Sequence, residues 1–260
     1  MLRRLRTPRN DSIKTMKPVI VIPTYNEAEN IEKIIKKIFS LGIDGLELII
    51  VDDNSPDGTA QIVKKFSIFN FQFSNPAEQR PPSIHLIERT RKLGLGSAYI
   101  AGFKKALDIG ADFILEMDAD FSHDPDDLPK LLEAAQTTDL VIGSRKIPGG
   151  KIIGWGLYRK LTSNGAMWFS RFLLGIKTKD VTSGFRCFRR RTLESIPLDE
   201  IKSNGYAFQE EMLYRAQKAG FKIIETPVTF IDRRVGKSKL SKKDIIEFFL
   251  IILKLKKIKV

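Results

Sequence analysis

Pro18-Val-Ile-Val-Ile-Pro-Thr-Tyr-Asn-Glu27 opens with four β-branched apolar residues in a row and then breaks at a proline. A run that is apolar at every position, rather than at alternate ones, reads as a strand covered on both faces. Pro23 stops it. Three further segments repeat the form: Leu46 to Val51, Ser83 to Ile87 and Phe113 to Met117. Helical stretches lie between them. Glu27 to Phe39 sets Ile31, Ile34, Ile35 and Ile38 on one stripe. Asp57 can N-cap a helix running towards Phe66, and Leu95 to Ile109 is a third helix. Residues 70–82, with Asn70, Asn75 and three prolines, read as a surface loop. The alternation predicts an α/β fold: a Rossmann-like, mainly parallel sheet with helices on both faces. In such sheets ligands sit beyond the carboxyl ends of the strands. Asp52, Asp53, Asp118 and Asp120 all fall at predicted strand ends, which places the chemistry there.

The bulk properties agree with one globular domain. The 260 residues are 42% hydrophobic and 29% charged, which excludes disordered and disulfide-scaffold classes. The single cysteine, Cys187, stands beside Phe188 and reads as a core residue in a reducing compartment. The net charge of +13 favours polyanionic partners, either phosphates, nucleic acid or an anionic membrane. Its placement at the two ends, with Arg3, Arg4, Arg6, Arg9, Lys14 and Lys17 at one and Lys254, Lys256, Lys257 and Lys259 at the other, leaves acidic motifs between them. Those acidic strand ends argue against nucleic acid. Neither a signal peptide nor a transmembrane run of ~18 apolar residues is legible. The expectation is a cytoplasmic protein, peripheral on the cytoplasmic face of a membrane. Residues 1–16 read as a basic arm, 17–240 as the catalytic domain and 241–260 as an amphipathic, interfacial C-terminal helix.

Asp118-Ala119-Asp120 closes an apolar strand. Hard cations such as Mg²⁺ or Mn²⁺ take one or two carboxylates together with substrate phosphates. The blander reading makes Asp120 and Asp124 helix caps before Pro125. The second acidic pair, Asp52-Asp53, weighs against it, because two such clusters repel unless a cation or a base-ring donor lies between them. In Pro23-Thr-Tyr-Asn-Glu27, Tyr25 can stack on a nucleobase while Glu27 or Asn26 bonds its edge; equally, Thr24 or Asn26 can cap the next helix. Leu93-Gly-Leu-Gly-Ser97 is a tight turn, not a dinucleotide fingerprint. Arg145 and Arg159 offer planar forks suited to phosphate. Asp232-Arg-Arg-Val-Gly-Lys-Ser-Lys239 is either a solvated loop or a lid over pyrophosphate. Gln209-Glu210-Glu211 lies in a helix from Tyr206 to Ala219, as an exposed face or facing the sugar. His85 is buried or paired in its strand, and neither it nor His123 forms a catalytic triad.

Set in order, these motifs resemble one family. Val21-Ile-Pro-Thr-Tyr-Asn-Glu27, Val51-Asp-Asp-Asn-Ser-Pro-Asp-Gly58, Leu93-Gly-Leu-Gly-Ser-Ala-Tyr99 and Met117-Asp-Ala-Asp-Phe-Ser-His123 look like family 2 glycosyltransferases of the GT-A fold. Gly143-Ser-Arg145, Ser163-Asn-Gly-Ala166, Thr182-Ser-Gly-Phe-Arg186, Phe208-Gln-Glu-Glu-Met212 and Lys237-Ser-Lys239 are similar to dolichyl-phosphate and polyprenyl-phosphate mannosyltransferases. The resemblance implies that Pro23, Tyr25, Glu27, Asp52 and Asp53 hold the nucleoside. It puts Asp118, Ala119 and Asp120 at the nucleotide sugar, with Asp118 and Asp120 on Mg²⁺ or Mn²⁺. Arg145, Arg159 and Ser163 receive the lipid phosphate, and Arg233 or Arg234 with Lys239 closes over the donor. Family members often carry glutamine where Ser122 stands, so water is the expected filler of that ligand position. The implied reaction is inverting transfer of mannose from GDP-mannose to dolichyl or polyprenyl phosphate, with UDP-glucose as the alternative donor. The implied partners are a membrane surface or a membrane-anchoring subunit.

Overall fold

The computed structural model describes residues 16–73, 83–201, 203, 205–232 and 250–256. Strands β1 (Pro18–Thr24), β2 (Glu47–Asp52), β3 (Ser83–Glu88) and β4 (Phe113–Glu116) alternate with helices α1 (Ile31–Phe39), α2 (Thr59–Phe73) and α3 (Leu95–Asp108). Then come α4 (Leu128–Ala135), β5 (Leu140–Ser144), β6 (Lys151–Ile153), α5 (Leu157–Leu174), β7 (Arg186–Arg189) and α6 (Arg190–Ser195). Helix α7 (Gly205–Lys218) and strands β8 (Ile223–Pro227) and β9 (Thr229–Ile231) follow. The main sheet runs β3-β2-β1-β4-β7-β5-β8, and β6 pairs with β9 in a small second sheet. Only β7 is antiparallel to its neighbours in the main sheet; the expected mainly parallel α/β sheet is therefore present, with the GT-A arrangement.

The unbroken apolar strands have the cause the sequence suggested. Val19 and Val21 enter a core with α3 and α7, whereas Ile20 and Ile22 enter a second core with the isoleucine stripe of α1 and with α4. β1, β4 and β5 are thus buried on both faces, whereas β3 and β8, at the two edges of the main sheet, are only half-buried. α3 lies so close to β1 that a Cβ on Gly102 would stand 2.2 Å from Val21 Cγ1. His85 is paired through Nε2 with Glu47, 2.7 Å away. Cys187 is fully buried, which pushes its thiol pKa up and leaves it inert.

Two local readings change. α2 continues to Phe73, so residues 70–73 are helical rather than loop. No glycine or proline occurs between Thr59 and Phe73, and Pro76 is the first residue able to force a stop. Helix α1 begins at Ile31 after Asn30, so neither Thr24 nor Asn26 caps it. The basic arm and Arg233, Arg234 and Lys239 of the expected lid lie outside the described residues. Of the expected C-terminal helix, residues 250–255 are described and are helical, with Ile252 and Leu255 buried.

The parallel register brings the ends of β1, β2 and β4 to one edge of the sheet. Each of these ends turns through a non-glycine residue in the left-handed region: Asn26 at φ 61°, Asn54 at φ 62° and Phe121 at φ 60°. Asparagine tolerates this conformation, but phenylalanine does so at a cost of roughly 1–2 kcal/mol. Strain concentrated in the loops of one edge marks that edge as the working one.

Candidate active site

Asp118 and Asp120 follow β4 and lie half-buried at this edge. Tyr99, fully buried on α3, points its hydroxyl at Asp118 Oδ1 across 3.3 Å. Burial, and then the neighbouring Asp118, raise that phenol well above its usual range, so it stays a donor. Asp120 Oδ1 accepts the Ser122 N–H at 2.9 Å, an arrangement that holds the turn and is no helix cap. Asp124 does cap, accepting the Asp126 N–H ahead of the short 3-10 turn Pro125–Asp127. The bland reading therefore holds for Asp124 and not for Asp120.

The second acidic pair is tied inside the protein. Asp52 accepts from Thr24 Oγ1, Ser55 Oγ and the Ser55 N–H, and so brackets the β1 and β2 loops. Asp53 accepts the N–H groups of Leu93 and Gly94 and faces Arg89 at 3.0 Å. These internal partners answer the repulsion that the sequence suggested an external ligand must relieve. The Leu93–Ser97 turn is thus docked onto Asp53. Pro23 is half-buried at the end of β1, and Glu27 accepts from Asn30 Nδ2 at 2.9 Å. Tyr25 is 37% exposed, with Lys92 Nζ 3.5 Å from its ring centroid.

Two arginines, each paired with a carboxylate, line the same pocket as the β4 loop. Arg145, at the end of β5, is buried and forms a two-pronged pair with Asp180, using Nε and one terminal nitrogen at 2.8 and 2.7 Å. The fork outweighs the burial that would otherwise raise the Asp180 pKa, and holds it below the usual carboxylate range. Arg159, on the first turn of α5, contacts both oxygens of Asp232 at 2.8 and 2.7 Å. Ser163 is one helical turn further along, half-buried. Asp118, Ser122 and His123 line a pocket together with Arg145, Trp155, Arg159 and Asp232. Thr182, Gly184 and Phe230 complete it.

The helix carrying Gln209-Glu210-Glu211 is buried where those three residues lie, so it is no exposed face. Glu211 accepts from Ser203 Oγ and Arg215, and Glu210 meets Ser170 Oγ of α5 at 3.0 Å. Burial pushes Glu210 up to about 8, so it is a neutral acid bracing α7 against α5 and is no base at neutral pH. Of the three, only Gln209 approaches the pocket: its Nε2 would meet a Cβ on Gly184 at 3.4 Å. Beneath Asp118, Glu116 is fully buried beside Arg186 and Gln209, and burial lifts it to about 7 against the pull of Arg186. Arg186 itself donates to the carbonyls of Val181, Ser183 and Gln209, stapling the pocket wall.

Residues 19–196 match the model of glycosyl transferase family 2. The chain belongs to that family. It is 42% identical to the undecaprenyl-phosphate mannosyltransferase of Micrococcus luteus, over 87% of this chain and 88% of that one. It is 40% identical to the polyprenol monophosphomannose synthase of Mycolicibacterium smegmatis, over 90% of this chain and 84% of that one. Among solved structures, glucosyl-3-phosphoglycerate synthase from Mycobacterium tuberculosis superposes with a TM-score of 0.64 at 20% identity, covering 94% and 81% of the two chains. A mannosyltransferase from Pyrobaculum calidifontis, in complex with GDP-Man and Mn²⁺, superposes at 0.57 and 19% identity, covering 85% and 58%. These two likenesses show the shared fold.

As a family 2 glycosyltransferase the protein has a donor set that suits a hard divalent cation. Asp118 and Asp120 are oxygen donors, and Ser122 Oγ beside them is a buried hydroxyl with no hydrogen-bond partner. Among the described residues no group of three or more His, Cys, Asp or Glu side chains is placed to hold a metal ion. Sequence reasoning missed several members of the transferase site. Asp180, Trp155 and Phe230 carry no motif that singles them out, and Asp232 reads only as the first residue of the polar loop that ends at Lys239. His123 was judged only as a catalyst, whereas its Nδ1 accepts the Asp118 N–H at 3.2 Å and its ring stacks on Phe185. Of the residues that the sequence singles out, Asp118, Arg145 and Arg159 converge on one pocket, while Glu210 and Glu211 are engaged with Ser170 and Ser203.

Proposed function

We propose that this enzyme transfers mannose from GDP-mannose to the phosphate of a polyprenol or dolichol, with inversion at the sugar carbon. The observation that carries the reading is that Asp118 and Ser122 line one pocket together with Arg145 and Arg159. The carboxylates suit a metal-bound leaving diphosphate and the arginines a second anion. The relatives at 42% and 40% identity support a polyprenyl phosphate acceptor and a mannosyl product. A phosphate monoester has a second pKa near ~6 and is already anionic at neutral pH. No side chain has to remove a proton from it, in keeping with a pocket whose imidazole is buried and occupied.

Asp118 and Asp120, with Ser122 directly or through water, hold the Mg²⁺ or Mn²⁺. When bound, that ion neutralises the departing diphosphate. Tyr99 and His123 fix Asp118 from behind. Arg145, set rigidly by Asp180, and Arg159 hold the acceptor anion against its repulsion by the donor and place it in line. Pro23, Tyr25, Glu27, Asp52 and Asp53 form the nucleoside side, and Arg233 or Arg234 with Lys239 the cover.

The acceptor's long tail calls for a membrane surface. No helix among the described residues is long and apolar enough to cross a membrane. α5 instead presents Leu157, Leu161, Trp168 and Phe172 at 74%, 61%, 65% and 75% exposure, along one stripe. Lys160 and Arg171 flank it. An apolar stripe with basic flanks on the helix that carries Arg159 supports peripheral docking on anionic lipid.

The test is transfer of label from GDP-mannose into the organic phase with polyprenyl phosphate and Mn²⁺ or Mg²⁺, beside UDP-glucose and an Asp120→Ala protein. Metal-dependent label from GDP-mannose, lost in the variant, is the expected result. Label from UDP-glucose alone would replace the donor; an inert protein that still binds GDP-mannose would refute the acceptor.

A further inference from the structure

Trp155 sits in the turn between β6 and α5. Three cations surround its ring: Arg159 at 4.4 Å, Arg145 at 5.6 Å and Lys146 at 5.9 Å from the ring centroid. Guanidinium and ammonium groups repel one another, and an indole face is the best neutral surface on which to gather them. The indole edge is packed by Phe230, at 5.7 Å and 73°. Phe230 meets His123, and His123 stacks on Phe185. An aromatic column thus runs from behind Asp118 to the two arginines and spaces the two ends of the pocket.

The indole has one polar atom. Trp155 Nε1 is buried and makes no hydrogen bond, although the residue lines the pocket. Leaving a buried donor unsatisfied costs roughly 1–3 kcal/mol, so the orphan is better explained by a ligand than by packing. Two features make that ligand an anion. The three cations converge on the ring, and Trp155 directly precedes Gly156, the N-cap of the 18-residue α5, where the positive end of the helix dipole lies.

We propose that Trp155 is a binding residue for the acceptor phosphate: its Nε1–H donates to a phosphate oxygen while its ring holds Arg145, Lys146 and Arg159 around the same anion. The inference rests on the reading above that this pocket receives a phosphate monoester. Asp180 and Asp232 answer two of the three cations, and the positive charge left over favours an anionic acceptor over a neutral hydroxyl.

The protein contains two tryptophans, so a Trp168→Phe variant leaves Trp155 as the only indole. In that variant, carrying ¹⁵N-tryptophan, the indole N–H resonance is followed while a short, water-soluble isoprenyl phosphate is added, and separately GDP with Mn²⁺. A downfield shift with the isoprenyl phosphate, saturating with its binding, is expected. In steady-state assays Trp155→Phe keeps an aromatic face and loses the donor. It should raise the acceptor KM about tenfold, the low end for a hydrogen bond to a charged group, and leave the GDP-mannose KM unchanged. Trp155→Leu should raise it further, because the cations lose their platform. A resonance that moves only with GDP and Mn²⁺ would overturn the assignment to the acceptor. A resonance that stays still while isoprenyl phosphate binds natively, and binds weakly in Arg159→Ala, would overturn the role of Trp155 and leave the acceptor pocket standing. Binding that Arg159→Ala does not weaken would overturn the pocket reading itself, and this proposal with it.

Discussion

His123 Nδ1 accepts the backbone N–H of Asp118 at 3.2 Å, which makes a buried imidazole the anchor of the carboxylate loop. Burial lowers the pKa of this ring, so it is neutral and its proton sits on Nε2. The His123→Phe variant keeps the stack on Phe185 and strips the acceptor. The orphaned Asp118 N–H should cost ~1–3 kcal/mol of stability in urea melts. It should also lower kcat by about tenfold through a looser Asp118. Unchanged kcat would show that the loop needs no such anchor.

Arg145 and Asp180 form a pair with side-chain exposures of 6% and 0%. Removing one member leaves the other charge buried and uncompensated, which costs about 3–5 kcal/mol. Asp180→Asn should therefore destabilise the protein by that order in chemical denaturation. It should weaken acceptor binding more than donor binding, because the Arg145 fork loses its orientation.

Glu210 makes stability pH-dependent. Its folded pKa of about 8 lies above the ~4.3 of an unfolded glutamate, so the folded state binds the extra proton between those values. Stability is lost as pH rises through that window, and the loss is complete above about 8. Glu210→Gln keeps a neutral donor for Ser170 and removes this dependence. Its Tm should match the native protein near pH 5 and exceed it at pH 8.5; equal Tm values at both pH values would contradict a neutral Glu210.

Gly102 and Val21 set how closely α3 lies on β1. Glycine to alanine inside a helix gains up to ~1 kcal/mol in propensity. Here the new Cβ meets Val21 Cγ1 at 2.2 Å, and overpacking of ~1–3 kcal/mol wins. Gly102→Ala alone should lower Tm, and adding Val21→Ala should recover part of the loss. Additive losses in the double variant would place the strain elsewhere.

Trp168 and Phe172 stack at 5.5 Å and 7° on the exposed stripe of α5. Each side chain is worth ~1.5–3 kcal/mol when fully buried in an apolar medium. Replacing both with serine should reduce co-sedimentation with anionic vesicles at least tenfold, and leave folding intact because neither side chain is in the core. Native binding to vesicles by the double variant would remove α5 as the docking face.

The sequence by itself determined the sheet, its working edge and the place of Asp118 and Asp120 on that edge. β-branched runs such as Val19–Ile22, stopped by Pro23, read as buried parallel strands, and the aspartates that follow them fall at the sheet's carboxyl edge. Those are local patterns, written in neighbouring residues. What the tertiary structure decided is which polar groups are already used. Asp53 is held by Leu93 and Gly94, some 40 residues away, and Arg145 by Asp180, 35 residues on. Glu210 and Glu211 read as sugar-facing carboxylates, yet α7 turns them into Ser170 and Ser203. Conversely Trp155 and Phe230 stand in no motif and His123 forms no triad, yet packing between distant segments brings the three into one aromatic column at the pocket. Hydrophobic period is set by nearest neighbours along the chain, whereas the partner of a buried charge is set by whichever segment the fold brings across. For that reason the architecture was legible from residue order and the wiring of the site was not.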